Sequence, residues 1–225
     1  MKSFEELQEG VYDPNIFKAF FLAGGPGSGK SYVGKRTTGG LGMRVVNSDD
    51  AFEKLVKSAG MTMKMDTKKG REQEADRDKL RDVAKRVTKL RQQNYIEGRL
   101  GLIIDGTARD YDKLESEMRA LQQLGYENYM IFVNTSLDVA LQRNEERPRT
   151  LPEKIVVQSW KNVQSNIGRF SNLFKENFII VDNNDPNEPP HLEVFKRVQK
   201  LAKKKVTNGI AKAWIANELE MKRRS

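Results

Sequence analysis

The chain has 225 residues, 37% of them hydrophobic and 32% charged, with no cysteine, one histidine and a formal net charge of +9. That length suits one well-buried α/β domain with an appendage and is short for two full domains. The composition excludes disulfides, thiolate metal sites, cysteine nucleophiles and histidine-built metal centres or triads. No apolar run is long enough to span a bilayer, and the first ten residues, MKSFEELQEG, lack the apolar stretch of a signal peptide, so the expected location is the cytoplasm. The charge is uneven. Residues 196–225 hold ten Lys or Arg against Glu218 and Glu220, a net +8, which leaves +1 for residues 1–195. Body and tail therefore need separate readings.

Residues 19–23 (AFFLA) read as a buried strand running into Gly24-Gly25-Pro26-Gly27-Ser28-Gly29-Lys30-Ser31, which fits GxxxxGK[ST]. The glycines let the backbone turn its N–H groups toward phosphate oxygens. A helix starting near Lys30 adds its positive end. Lys30 reaches the β- and γ-phosphates, and the Ser31 hydroxyl is a Mg²⁺ ligand. Residues 43–46 form a second strand ending in Asn47-Ser48-Asp49-Asp50. Met61, Met63 and Met65 alternate with polar residues and read as fillers against the core. Residues 71–93 read as a helix with Leu80, Val83, Ala84, Val87 and Leu90 on one stripe. Residues 1–15 and 60–70 carry no clear pattern.

A third strand, 102–104, ends in Asp105-Gly106. Motor ATPases place a glutamate after that aspartate to polarise water, and glycine stands here; no Asn-Lys-x-Asp guanine-reading motif occurs either. Helices follow at 114–124 and 137–144, around a strand at 129–133 that ends in Asn134. Residues 141–149 then carry Arg143, Arg147 and Arg149, either a lid that neutralises charge on a transferring phosphate or partners of Glu145, Glu146 and solvent. A helix over 152–165 holds Trp160 as a core residue. The fifth strand, 178–181, ends in Asp182-Asn183-Asn184, and residues 183–190 (NNDPNEPP) form a turn-rich link. His191 reads as a surface residue at a helix start. Residues 196–205 either follow nucleic-acid phosphates or form the solvated face of a helix with Val194, Val198 and Leu201 inward. Ile210, Trp214 and Leu219 make a short amphipathic helix that docks on the body or on a partner. Five strands with helices between them predict a three-layer α/β sandwich around a mostly parallel sheet, with a domain at 1–190 and a basic helical extension at 191–225. Polar residues at the strands' C-terminal ends suit the ligand-binding edge of such a sheet.

The loop GGPGSGKS, the NSDD segment and QRNEERPRTLP together resemble the bacteriophage polynucleotide kinase and its relatives, including the zeta-toxin kinases, over residues 18–184. The resemblance implies that Asp49 accepts the proton of an acceptor hydroxyl, that Arg147 touches the transferring phosphate and that Arg143 belongs to the same lid. Such a base needs reach to the γ-phosphate, which a carboxylate at a strand's C-terminal end has. Asp50 competes with Asp49, either at the substrate or as the N-cap of a helix over 51–58. Phe52 stands where those kinases carry an arginine, and is either a stacking platform or core. Asp105-Gly106-Thr107-Ala108-Arg109 is similar to the Asp-Gly-x-Pro-Arg segment of adenylate kinases. By that similarity Arg109 binds an acceptor phosphate, Asp105 orients Mg²⁺ or its waters, and Asn183 borders the adenine; otherwise Arg109 is a surface residue paired with Asp110 or Asp112, and Asp182-Asn183 is a plain turn. The expected activity is ATP- and Mg²⁺-dependent transfer of the γ-phosphoryl group to a polynucleotide 5′-hydroxyl, in the host cytoplasm if the protein is viral. The alternatives are a kinase of small nucleotides, nucleosides or nucleotide sugars, and an ATP-switched nucleic-acid-binding or assembly protein.

Overall fold

Along residues 17–23 the side chains alternate between two apolar sets. Phe17, Ala19, Phe21 and Ala23 belong to one buried cluster, and Phe20 and Leu22 to another. A strand apolar on both faces has to be covered on both, and the rest of the chain does this. The computed structural model describes residues 10–63, 67–106, 108–146, 150–185 and 191–224. Five strands, β1 (Lys18–Ala23), β2 (Arg44–Val46), β3 (Leu102–Asp105), β4 (Glu127–Asn134) and β5 (Phe178–Asp182), form one sheet in the order β2-β3-β1-β4-β5. Every pairing is parallel, so the sheet is wholly rather than mostly parallel.

One face is covered by α1 (Lys30–Thr38) and α9 (His191–Ala202), through Val33, Val198 and Ala202. The other is covered by Leu114, Met118, Leu121, Val163, Phe170 and Phe174. These come from α5 (Tyr111–Gln123), α7 (Glu153–Ser165) and α8 (Ile167–Phe174); α6 (Leu137–Glu145) lies between them in sequence. The three-layer α/β sandwich is thus observed. Helix α8 was not expected from the sequence, although Ile167, Phe170, Leu173 and Phe174 lie on one face that packs on the core; at eight residues it is short for a periodic signal.

Beside the sheet, α2 (Ser48–Ser58) packs on α4 (Glu74–Glu97), with the short α3 (Lys68–Glu72) preceding it. Phe52, Val56 and Ala84 make a separate small core to which Leu80, Met61 and Met63 add. Phe52 is therefore core, and two of the methionines fill gaps as expected; Met65 lies outside the described residues. The predicted stripe on α4 holds only in part. Helix α2 has 11 residues against 24 in α4, so it covers the first half of its partner. Leu90 is left 62% exposed and Val87 also faces solvent.

The tail splits into α9 (His191–Ala202) and α10 (Gly209–Arg224). Helix α9 turns Val194, Val198 and Leu201 inward, the solvated-face arrangement. Helix α10 docks on the body. Trp214 meets Phe17 edge-on at 5.5 Å with the Arg99 guanidinium 5.7 Å above it, and Ala211 fits against Gly125. Thr207 donates twice to Glu127, from N at 3.0 Å and Oγ1 at 3.1 Å. Phe17 and Glu127 lie at the N-terminal ends of β1 and β4, so α10 caps the sheet edge opposite the one where the strands end. At that same edge Lys18, 1% exposed, pairs with Glu127. Burial pushes the Glu127 carboxyl up, but hydrogen bonds from Lys18, the Thr207 amide and Tyr129 outweigh it and hold the group below the usual carboxylate range. Among the described residues, no helix is long and apolar enough to cross a membrane.

Candidate active site

The site is built where β1, β2 and β3 end. From Ala23 the chain enters the glycine-rich loop, and two glycines there are sterically obligatory. At Gly27, with φ +78°, a Cβ would sit 2.0 Å from the carbonyl oxygen of Ala140 in α6. At Gly29, also φ +78°, it would sit 2.3 Å from Nδ2 of Asn183. Gly29 is the N-cap of α1 and offers no side-chain acceptor, so the first-turn N–H groups of that helix are left for an anion. Ser28 is 3% exposed, and its Oγ has no hydrogen-bond partner among the described residues. Gly25 and Pro26 are half-buried at the loop's outer turn, and Ser31 is exposed on the first turn of α1. A loop in which Gly27 and Gly29 leave no room for a Cβ, with an unsatisfied buried hydroxyl and an uncapped helix start, has the form of a phosphate cradle.

The other two strand ends hold this loop. Thr135, just past β4, donates Oγ1–H to the Ser28 carbonyl at 3.2 Å, and Trp160 Nε1 donates to the Thr135 carbonyl at 2.7 Å. Asn183, just past β5, donates Nδ2–H to the same Ser28 carbonyl at 2.8 Å. Arg143 donates Nη1–H to the Asn183 carbonyl at 2.7 Å, so its guanidinium lies against the loop rather than pairing with Glu145 or Glu146. Trp160 is half-buried on α7 beside Gly25, a site neighbour more than a core residue. Arg147 and Arg149 lie outside the described residues. The ends of their segment are tied by Asn144, which accepts from the Leu151 amide at 3.1 Å and donates to the Leu151 carbonyl at 2.9 Å.

On the other side, Lys30 Nζ pairs with Asp105, whose side chain is 7% exposed. The second Asp105 oxygen accepts from Asn47 Nδ2 at 2.8 Å. Asn47 is also the N-cap of α2, taking the Asp49 amide on Oδ1 at 2.7 Å. This corrects the expected helix start: α2 begins at Ser48, not at residue 51, and the cap is Asn47, not Asp50. Asn is among the best capping residues, and its place directly before SDD was a readable signal. Asp50 Oδ1 lies 3.5 Å from Asn47 Nδ2, folded back toward the cap. Asp49 stands 55% exposed with Arg81 Nη1 3.9 Å from its carboxylate.

Arg109 is exposed, and its side chain makes no hydrogen bond or ion pair among the described residues. The expected partners are engaged elsewhere: Asp110 caps α5, and Asp112 pairs with Arg169 at 3.0 Å. Ala108 has φ +55°, which a proline cannot adopt, so this loop takes a different course from the Asp-Gly-x-Pro-Arg pattern. Asn166 Nδ2 holds it through the Ala108 and Arg109 carbonyls. Among the described residues no group of three or more acidic or histidine side chains could hold a metal ion by itself.

The sequence of residues 20–169 matches the family model described as an AAA domain. The chain belongs to the AAA domain family. No curated protein matches it. Among solved structures, this AAA domain is similar to a putative kinase from Chloroflexus aurantiacus J-10-fl. The identity is 13%, the coverage 82% of this chain and 94% of that one, and the TM-score 0.54. It is also similar to the AvrRxo1-ORF1:-ORF2 complex determined with ATP, at 17% identity and a TM-score of 0.51, covering 85% of this chain but 65% of that one. A gluconokinase from Sinorhizobium meliloti 1021 aligns at 15% identity over 92% and 97% of the two chains, with a TM-score of 0.46. The P-loop NTPase-like fold of this AAA domain follows from the family match and the parallel sheet.

Proposed function

We propose that the protein is an ATP-dependent kinase that moves the γ-phosphoryl group to a hydroxyl of a small acceptor. The observation that carries this reading is the run of contacts from Lys30 through Asp105 and Asn47 to the Asp49 amide, which ties a phosphate cradle to the residue that bears a solvent-facing carboxylate. Gly106 in place of a water-polarising glutamate favours transfer to an acceptor over hydrolysis. The solved structure with ATP and the putative kinase share this fold, which is in keeping with the reading.

Bound ATP supplies the γ-phosphoryl group and a Mg²⁺ ion held on its phosphates. The loop residues from Gly24 to Ser31 fit it: their N–H groups and the Ser28 hydroxyl meet phosphate oxygens. The Ser31 hydroxyl would hold a Mg²⁺ ion directly and Asp105 would hold its waters, which suits an ion that keeps most of its shell as phosphate and water. Lys30 moves from Asp105 to phosphate. Asn183, at the end of β5, borders the nucleotide. Asp49 takes the proton of the acceptor hydroxyl. Arg143, with Arg147 by resemblance, neutralises charge on the equatorial oxygens. Arg109 is the candidate contact to an acceptor phosphate, and Asp50 backs the same pocket.

A small acceptor is favoured over the polynucleotide end that the resemblance suggested. Phe52, which stands where those kinases carry an arginine, is buried between α2 and α4, so α2 offers no arginine to the phosphate of a nucleic-acid end. The test is a transfer assay with γ-labelled ATP and Mg²⁺. The acceptors are a panel of nucleotides, nucleosides, nucleotide sugars and sugar acids, 5′-hydroxyl DNA and RNA, and water alone, with Lys30→Ala as the inactive control. Label on a small hydroxyl compound, lost in Asp49→Asn but not in Asp50→Asn, is the expected result. Label on oligonucleotide ends would restore the polynucleotide reading. Phosphate released to water alone would replace the kinase by an ATP-driven switch.

A further inference from the structure

We infer that Arg81, on α4, is a positioning residue that aims the Asp49 carboxylate at the acceptor; this rests on the reading of Asp49 as the base. Three contacts define its place. The Phe52 ring, 1% exposed, is locked between α2 and α4. The Arg81 guanidinium carbon lies 4.2 Å from that ring's centroid, so one flat face is held by stacking and cation–π attraction. Nη1 of the same group lies 3.9 Å from Asp49 Oδ1. With side chains 31% and 55% exposed, such a pair adds little stability. Its effect is geometric: a guanidinium held on a buried ring limits the orientations open to a half-exposed carboxylate.

The arrangement also separates two neighbouring carboxylates. Asn47 binds the Asp49 amide and approaches the Asp50 side chain, so the cap fixes the backbone of the one and draws in the carboxylate of the other. Arg81 comes from a different helix and reaches the side chain of Asp49. A residue that aims the base acts on turnover and not on affinity, because the nucleotide is bound by the phosphate loop whereas Arg81 comes from α4, which packs on α2. Misaiming a reacting group by about 1 Å costs on the order of a hundredfold in rate.

The experiment compares wild type, Arg81→Met and Arg81→Lys, each with and without Asp49→Asn, using whichever acceptor takes label. Expected for Arg81→Met is a fall in kcat of about tenfold to a hundredfold, with KM for ATP and acceptor unchanged and no further loss in the Asp49→Asn background. Arg81→Lys, which keeps charge without the planar fork, should recover part of the loss. A raised acceptor KM at unchanged kcat would make Arg81 a substrate-binding group and overturn the inference, as would an unchanged kcat. A second readout needs no acceptor. In carboxyl ¹³C NMR, the Asp49 resonance, identified by its loss in Asp49→Asn, should move in Arg81→Met while that of Asp50 stays. An unmoved Asp49 resonance removes the contact and the inference with it. A wild-type chain that labels no acceptor but shows the NMR change instead sinks the kinase reading, leaving Arg81 paired with a carboxylate that is not a base.

Discussion

Gly27 has the least room of the glycines in the phosphate loop. A methyl group there would overlap the Ala140 carbonyl, and an alanine held at φ +78° adds roughly 1–2 kcal/mol of backbone strain. Backbone cannot step aside as a side chain can, so loop and α6 must separate. Gly27→Ala should weaken ATP binding at least tenfold by calorimetry, an expected loss of about 1.4 kcal/mol or more, with an unchanged circular-dichroism spectrum. Retained affinity would show that the loop tolerates the shift. The glycine was legible because its motif is local. Asn47 was half legible, as a polar strand end whose capping role went to Asp50. Arg81 and Asn166 were not legible, since their partners lie on elements far away in sequence and nothing in periodicity links them.

At the scale of elements, the strands were the readable part. Each is a short run apolar on both faces, and five such runs with helices between them admit few arrangements. The long helix misled because its spacing continues past the point where α2 stops covering it, and exposure depends on the partner's length. The tail was ambiguous for a related reason: Trp214 looks the same in sequence whether it meets this body or another protein. Here it packs on Phe17. Trp214→Ala should therefore destabilise the fold by about 3 kcal/mol, lowering Tm by roughly 6–12 °C. Nucleotide affinity at 20 °C should stay unchanged, because the contact is at the other end of β1. A Tm within a degree of wild type would mean that α10 contributes nothing to the body.

For the molecule as a whole, the Lys18–Glu127 pair is where pH acts on stability. The Glu127 carboxyl is held below its ordinary value of 4.5 by its hydrogen bonds, against the opposing effect of burial. Between 4.5 and that lower value the unfolded chain binds the proton and the folded chain does not, so stability falls as pH falls through the window. The contribution is complete above about 4.5. Glu127→Gln, which leaves Lys18 buried without its anion, should cost about 3–5 kcal/mol at pH 7. Urea unfolding should show the gap between variant and wild type narrowing as pH drops below 4.5. A constant gap would dissociate the ionisation of Glu127 from folding.

The chain's two tryptophans sit at opposite ends of the sheet, one beside the phosphate loop and one under α10. Their fluorescence therefore reports on separate events. In Trp214→Phe, emission from Trp160 should change in a saturable way with added ATP and stay flat when Lys30→Ala is combined with it. In Trp160→Phe, emission from Trp214 should ignore nucleotide and change only when α10 leaves the body. Ligand occupancy and global unfolding can thus be followed in one cuvette, without a label, even before any acceptor is known.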